Sequence, residues 1–193
     1  MTDVELKLQD AATQMLLAIA NSSDEKIFRS CINAFLSHAR SVTFVMQAES
    51  SDPALKDWYM TQMERLQKVP LMRFFNAQRV HSIHRGVVVP RSTSYQTAES
   101  KFRYETSADG RTHLVGEMIV LSDSRPADLG DVADVRPDGS ISTWCFDGVK
   151  EFIPSDTGNV PRLCEQYFLI LKWLVQEWLR ERKQLITNNE QKT

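Results

Sequence analysis

Apolar side chains return every three or four positions along residues 1–86, the period of amphipathic helices. Leu6, Leu8, Ala12, Met15, Leu16 and Ile19 mark a first helix that ends near Asn21. Ser23 or Asp24 can cap a second, because a short side-chain oxygen satisfies the free amides of a helix start. Its stripe is Ile27, Cys31, Ala34, Phe35, Val42, Val45 and Met46, and it runs to the neighbourhood of Ala48. Asp52-Pro53 restarts the chain, since proline suits a first helical position. Leu55, Trp58, Tyr59, Met63 and Leu66 follow on a third helix. Pro70 opens a fourth, with Leu71, Phe74, Phe75 and Gln78 on one stripe. Gly86 is its predicted stop, because glycine readily takes the left-handed conformation that follows a helix.

Beyond Gly86 the pattern changes. Val87-Val88-Val89-Pro90, Lys101 to Thr106, His113 to Leu121 and Ile141 to Phe146 read as strands. Asp109-Gly110, Asp138-Gly139 and Asp147-Gly148 supply turns among them, as in an antiparallel meander. Ser92 to Ser100 and Ser122 to Asp131 are polar and read as loops. Pro161 then opens a last helix with Leu163, Tyr167, Ile170, Leu171, Leu174 and Trp178 on one face and Phe168, Val175 and Leu179 beside it. So broad an apolar face belongs to a core element. The predicted class is mainly α with a β insertion (α+β): a bundle of about five helices with a small antiparallel β meander before the last helix. The predicted organisation is a helical bundle over 1–86, a β-rich insertion over 87–155, a closing bundle helix over 156–186 and a disordered tail over 187–193.

Composition changes this picture little. A chain of 193 residues, 42% hydrophobic and 25% charged, can bury a sizeable core and reads as soluble and globular. The net charge of −2 argues against a generally basic nucleic-acid binder but leaves room for a local basic site. Cys31, Cys145 and Cys164 form no C-x-x-C pair and read as thiols of a reducing compartment. The first residues lack the basic and apolar regions of a signal peptide, and the longest apolar run, Tyr167 to Val175, is too short to span a bilayer. The expected location is the cytoplasm, with no membrane partner. Trp58, Trp173 and Trp178 read as core or interface aromatics, and His38, on the stripe of Cys31, Phe35 and Val42, as a partly buried histidine.

Candidate chemistry concentrates in Arg79-Val80-His81-Ser82-Ile83-His84-Arg85. Arg79 and Arg85 are permanent cations, whereas His81 and His84 titrate near neutrality. On one straight helix Arg79 and His84 sit about 140° apart around the axis and about 7.5 Å apart along it. They converge only if the helix unwinds before Gly86 or a second subunit brings its own copy. His81 and Arg85, at i,i+4, share a face directly. Arg40 lies on another face of the second helix and can pair with a carboxylate or join a phosphate site. No ligand set completes a metal site around His81-x-x-His84, and there is no Walker loop, G-x-G-x-x-G or G-x-S-x-G.

An arginine, four residues and a histidine at the end of a bundle helix resemble the R-x4-6-H motif of the HEPN superfamily (higher eukaryotes and prokaryotes nucleotide-binding domains). Asn33-Ala34-Phe35-Leu36-Ser37-His38-Ala39-Arg40-Ser41-Val42-Thr43-Phe44, then Trp58-Tyr59 and Phe74-Phe75, add to the likeness, which spans roughly residues 25–86 with the last helix as a closing element. The resemblance implies a metal-independent endoribonuclease of toxin–antitoxin, abortive-infection or RNA-processing type, without a cofactor, whose paired motifs meet across a homodimer. It implies that Arg79 contacts the scissile phosphate and that His84 serves in acid–base chemistry. His81, Arg85 and Arg40 are the accompanying candidates for binding substrate. Implied partners are RNA, a second copy, and an antitoxin or other protein. Val80 stands where the superfamily often has a polar residue. The alternative is a non-catalytic dimeric module that binds a nucleotide or a protein.

Overall fold

The computed structural model describes residues 1–84, 86–96, 98–106, 112–120, 134–135 and 140–190. For Ile83, His84, the strand residues 93–142 within those ranges, and residues 189–190, it describes the backbone alone. The fold is mainly α with a small β portion, as the periodicities predict. Four helices come first: α1 (Asp3–Ala20), α2 (Glu25–Glu49), α3 (Pro53–Leu66) and α4 (Pro70–His84). Strands follow, and α5 (Val160–Glu190) closes the bundle.

The helix starts are chemically specified. Thr2 and Glu5 form a reciprocal capping box on α1, with Glu5 Oε2 accepting from Thr2 N at 2.7 Å. Asp24 accepts from Lys26 N and Ile27 N, and Asp52 from Ala54 N and Leu55 N. Asn159 Oδ1 accepts from Arg162 N at the start of α5.

One part of the core joins α1, the first half of α2, α4 and the start of α5 through Phe28, Phe35, Phe74, Phe75, Leu163 and Leu171. The other joins the far end of α2 to α3 and the second half of α5 through Val42, Met46, Leu55, Leu174 and Trp178. Trp178 is fully buried, and its Nε1 donates to Ser50 Oγ at 3.1 Å. Trp173, read as a core or interface aromatic, is 47% exposed and is not in the core, because it lies on the side of α5 away from Leu171, Leu174 and Trp178. His38 is half-buried as expected, its Nδ1 3.6 Å from Asp10 Oδ2.

On α1 the expected phase is off by one position. Val4, Ala11, Met15 and Ala18 are buried, while Leu6 and Leu16 are exposed. The inward face is rich in alanine because α1 packs closely along α2, and the leucines flank that contact. On α2, Phe28 rather than Ile27 turns inward.

The β portion comprises β1 (Arg91–Gln96), β2 (Ala98–Thr106), β3 (Thr112–Val120), β4 (Asp134–Val135) and β5 (Ser140–Cys145). All described pairs are antiparallel, divided between a β2–β3 pair and a three-stranded sheet in the order β1-β5-β4. The valine-rich run 87–90, read as a strand, has no regular structure, and the polar run from Ser92 is a strand instead. Val88 is buried against the helices and meets an asparagine side chain, whereas Arg91 to Gln96 find partners along β5. The expected turns at Asp109-Gly110 and Asp138-Gly139 lie outside the described residues. At Asp147-Gly148 the chain turns with Gly148 at φ 72°. α5 runs past the expected tail start to Glu190, with Thr187 Oγ1 donating to Lys183 O in the last turns. Among the described residues no helix is long and apolar enough to cross a membrane.

The sheet is pinned to the bundle at its exit. Trp144 stacks on Phe28 at 4.7 Å, and its Nε1 donates to Ser22 O at 2.7 Å. Phe146 then enters the aromatic core against Phe74 and Phe75. Its amide donates to Gly158 O at 2.8 Å. Gly158 has φ 86°, and a Cβ there would lie 2.7 Å from Phe146 O. Gly158→Ala is therefore expected to destabilise the protein by about 1–3 kcal/mol, read as a lower denaturant midpoint at unchanged slope; an unaltered midpoint would show that the junction is not constrained.

Candidate functional site

A stripe of α2 at the edge of its core face carries Leu36, Arg40, Thr43 and Gln47, spaced at i, i+4, i+7 and i+11. α4 faces it with Met72, Arg73, Asn76 and Arg79, and α3 supplies Tyr59, Met60, Met63 and Leu66. Between these three helices lies a cavity of 460 Å³, floored by Phe75 and Tyr167. A smaller recess of 190 Å³ adjoins it, bounded by Ser37, Ser41, Phe44 and Ser82. Leu36, Arg40 and Arg79 line both.

The electrostatics of the cavity are one-sided. Among the described residues three arginines line it and no carboxylate does. Among the described residues, neither Arg40 nor Arg79 has a carboxylate within ion-pair distance, although other arginines do: Arg91 with Asp147, Arg162 with Asp156 and Arg180 with Glu177. Burial, and then the charge of Arg79, press the pKa of Arg40 below the ordinary arginine value. A guanidinium nonetheless stays protonated in proteins, so both charges persist.

Local contacts hold the two cations in place. Arg40 Nη1 donates to Thr43 Oγ1 at 3.0 Å, and the Thr43 hydroxyl in turn donates to Arg40 O. Arg40 Cζ lies 4.2 Å from the centre of the Phe44 ring and Arg79 Cζ 5.4 Å from it. The negative face of an aromatic ring offsets part of the repulsion between cations. Arg40 Nε is buried and has no hydrogen-bond partner. A buried donor without an acceptor is costly, and here it sits beside a cavity.

The two tyrosines lining the cavity, Tyr59 of α3 and Tyr167 of α5, are neutral phenols. Tyr59 donates to Thr43 O at 3.0 Å, and burial raises its pKa against the opposing pull of Arg40. Burial likewise pushes Tyr167 up to about 12, with Arg40 and Arg79 pulling the other way.

The candidate residues divide accordingly. Arg40 and Arg79, on separate helices, meet at the cavity. His81 is exposed and does not line it. α4 remains α-helical through His84, so the unwinding that would turn Arg79 and His84 to a common face does not occur within the chain. The His84 side chain and Arg85 lie outside the described residues. Gly86 ends the helix as expected: φ is 127°, and its amide donates to His81 O at 3.2 Å.

Asn33 fixes the path beyond. Its Oδ1 accepts from Val88 N at 2.9 Å and from Ser82 Oγ, while its Nδ2 donates to Val88 O at 2.8 Å. Sequence reasoning did not single out Arg73, Gln47, Tyr59 or the methionines as site residues. A signal was present in the three-residue spacing of Arg73, Asn76 and Arg79, a polar stripe on an otherwise core-facing helix.

A family described as bacteriophage lambda protein ea47 matches residues 1–102. The chain belongs to that family. The match takes in α1 to α4, and with them all the residues lining the cavity except Tyr167. No curated protein matches the chain, and no solved structure does. The arginine pair is thus contained in the part of the chain that defines it as an ea47-family protein.

Replacing Asn33 would leave both polar groups of the buried Val88 backbone unpaired. Asn33→Ala is expected to cost about 1–3 kcal/mol in chemical denaturation and to speed hydrogen exchange at the Val88 amide. Unchanged exchange there would rule out the clamp.

Proposed function

We propose that this ea47-family chain is a phosphate-binding helical module whose ligands are nucleotides or RNA, with Arg40 and Arg79 as the phosphate clamp. The observation that carries the reading is the pair of guanidiniums at one cavity with no carboxylate among the described residues to neutralise them. Bringing two like charges into a partly desolvated recess costs free energy, and an anion binding there recovers it through charge-assisted hydrogen bonds. The unpartnered Nε of Arg40 is one such donor. The HEPN-like wording supports the same assignment, because it implies that Arg79 contacts a phosphate.

The second reading is the metal-independent endoribonuclease. Arg79 would hold the scissile phosphate and His84 would move the proton, as RNA needs only orientation, charge neutralisation and proton transfer to cleave through its 2′-hydroxyl. Since α4 is helical through His84, that histidine would have to act with the arginine of a second copy. Exposed Val80, within the motif, and Val87 and Val89, just beyond it, favour such a contact. A cytoplasmic homodimer with an antitoxin or other protein partner belongs to this reading.

Pyrophosphate titrated calorimetrically into the protein is expected to bind, and Arg40→Gln/Arg79→Gln to weaken binding by at least about tenfold, since each lost charge-assisted bond is worth about 1.5–3 kcal/mol. Equal affinity of the double variant would overturn the clamp. Incubation with RNA in EDTA separates the two readings. Intact RNA is expected for the binding module, whereas cleavage abolished by Arg79→Ala/His84→Ala would establish the ribonuclease.

A further inference from the structure

The cavity is much larger than a phosphate, and the part of it away from Arg40 and Arg79 has its own chemistry. We infer that it takes a single nucleotide, with the phosphate on Arg40 and Arg79 and the base lying on a wall made by Met60, Met63 and Met72. The inference rests on the phosphate-clamp reading and adds to it the identity of the rest of the ligand.

Size is the first argument. A volume of 460 Å³ falls within the range of about 300–1,000 Å³ typical of small-molecule sites. Inorganic phosphate would leave most of that space unfilled, and a duplex or folded RNA cannot enter a recess bounded by three helices. The adjoining recess of 190 Å³ is lined in part by Ser37, Ser41 and Ser82.

Wall chemistry is the second. Three thioethers on α3 and α4 converge on one cavity. Methionine sulfur is polarisable, makes favourable contacts with aromatic rings and adapts its three torsions to a flat guest. An acyl chain would also suit thioethers, but Gln47, Gln67 and Asn76 line the same cavity. Each carboxamide offers both donors and an acceptor. Against hydrocarbon these groups would lose water without compensation, whereas the edge of a nucleobase presents matching donors and acceptors. The lining thus combines cation, amide and thioether, the complement of phosphate, base edge and base face.

Adenosine 5′-monophosphate, ribose 5-phosphate, adenosine and a short single-stranded oligoribonucleotide, each titrated into the full chain, test this directly. The expected result is that the nucleotide binds at least about tenfold more tightly than either ribose 5-phosphate or adenosine. Met60→Ala is the diagnostic variant, because Met60 is 47% exposed and alanine suits a helix. It is expected to weaken nucleotide binding about threefold or more, through the loss of a sulfur–aromatic contact, and to leave ribose 5-phosphate binding unchanged. Equal affinity for nucleotide and ribose 5-phosphate would overturn the base wall while leaving the phosphate clamp intact. Tight binding of the oligoribonucleotide without binding of the nucleotide would overturn the inference in favour of a polymer ligand. Failure of every phosphate-bearing probe would remove the clamp and the inference together.

Discussion

Phe75 lies flat on Tyr167 with ring centres 4.3 Å apart and planes inclined by 5°. Phe35 meets both rings edge-on, at 6.4 Å and 6.1 Å. These three residues come from α4, α5 and α2, so one aromatic contact ties together helices from the two ends of the chain. Such pairs contribute about 0.5–1.5 kcal/mol beyond the area they bury. They also set the depth of the cavity, because Phe75 and Tyr167 form its floor. Through Phe146, which packs on Phe74 and Phe75, the same cluster receives the chain as it leaves the β portion.

With the floor rigid, the walls become a matter of helix phase. α2 buries Phe35, Ala39, Val42 and Met46, which rotates Arg40, Thr43 and Gln47 onto the rim. α4 buries Leu71, Phe74 and Phe75, which carries Arg79 toward Arg40. Neither arginine would gain from the other's presence in folding alone. Their juxtaposition is a destabilising element that the apolar core outweighs, and the Phe44 ring, 46% exposed, offsets part of it. Strain of this electrostatic kind is common where a protein is arranged for a ligand rather than for maximal stability.

Much of this architecture was legible along the chain. Four helices, the cap offered by Ser23 or Asp24, the restart at Pro53, the Gly86 stop and the closing helix follow from local rules of spacing, capping and conformational freedom, and all are observed, with Asp24 as the cap. Phase errors arose where the chain has apolar residues on two sides, as at Leu16 beside Met15 or Ile27 beside Phe28. In both, period alone cannot choose the inner face. The strand shift at residues 87–96 has a different origin. Val88 is buried by contact with helices and an Asn33 side chain, so its hydrophobicity does not report a strand. The polar strand from Arg91 is stabilised by pairing with β5, a partner far along the chain.

The sequence by itself determined that this protein is a helical bundle interrupted by β structure, and it marked Arg79 and Arg40 as candidates for an anion. Helix period, capping and turn chemistry act over a few residues and can be read without a fold. Tertiary structure alone decided that Arg79 meets Arg40 at one cavity. α4 is continuous through the motif, and residues that far apart in the chain are brought together only by packing on a shared aromatic floor. The charge on the cavity, its methionines and the buried Nε of Arg40 have the same cause, being properties of three helix faces that meet in space.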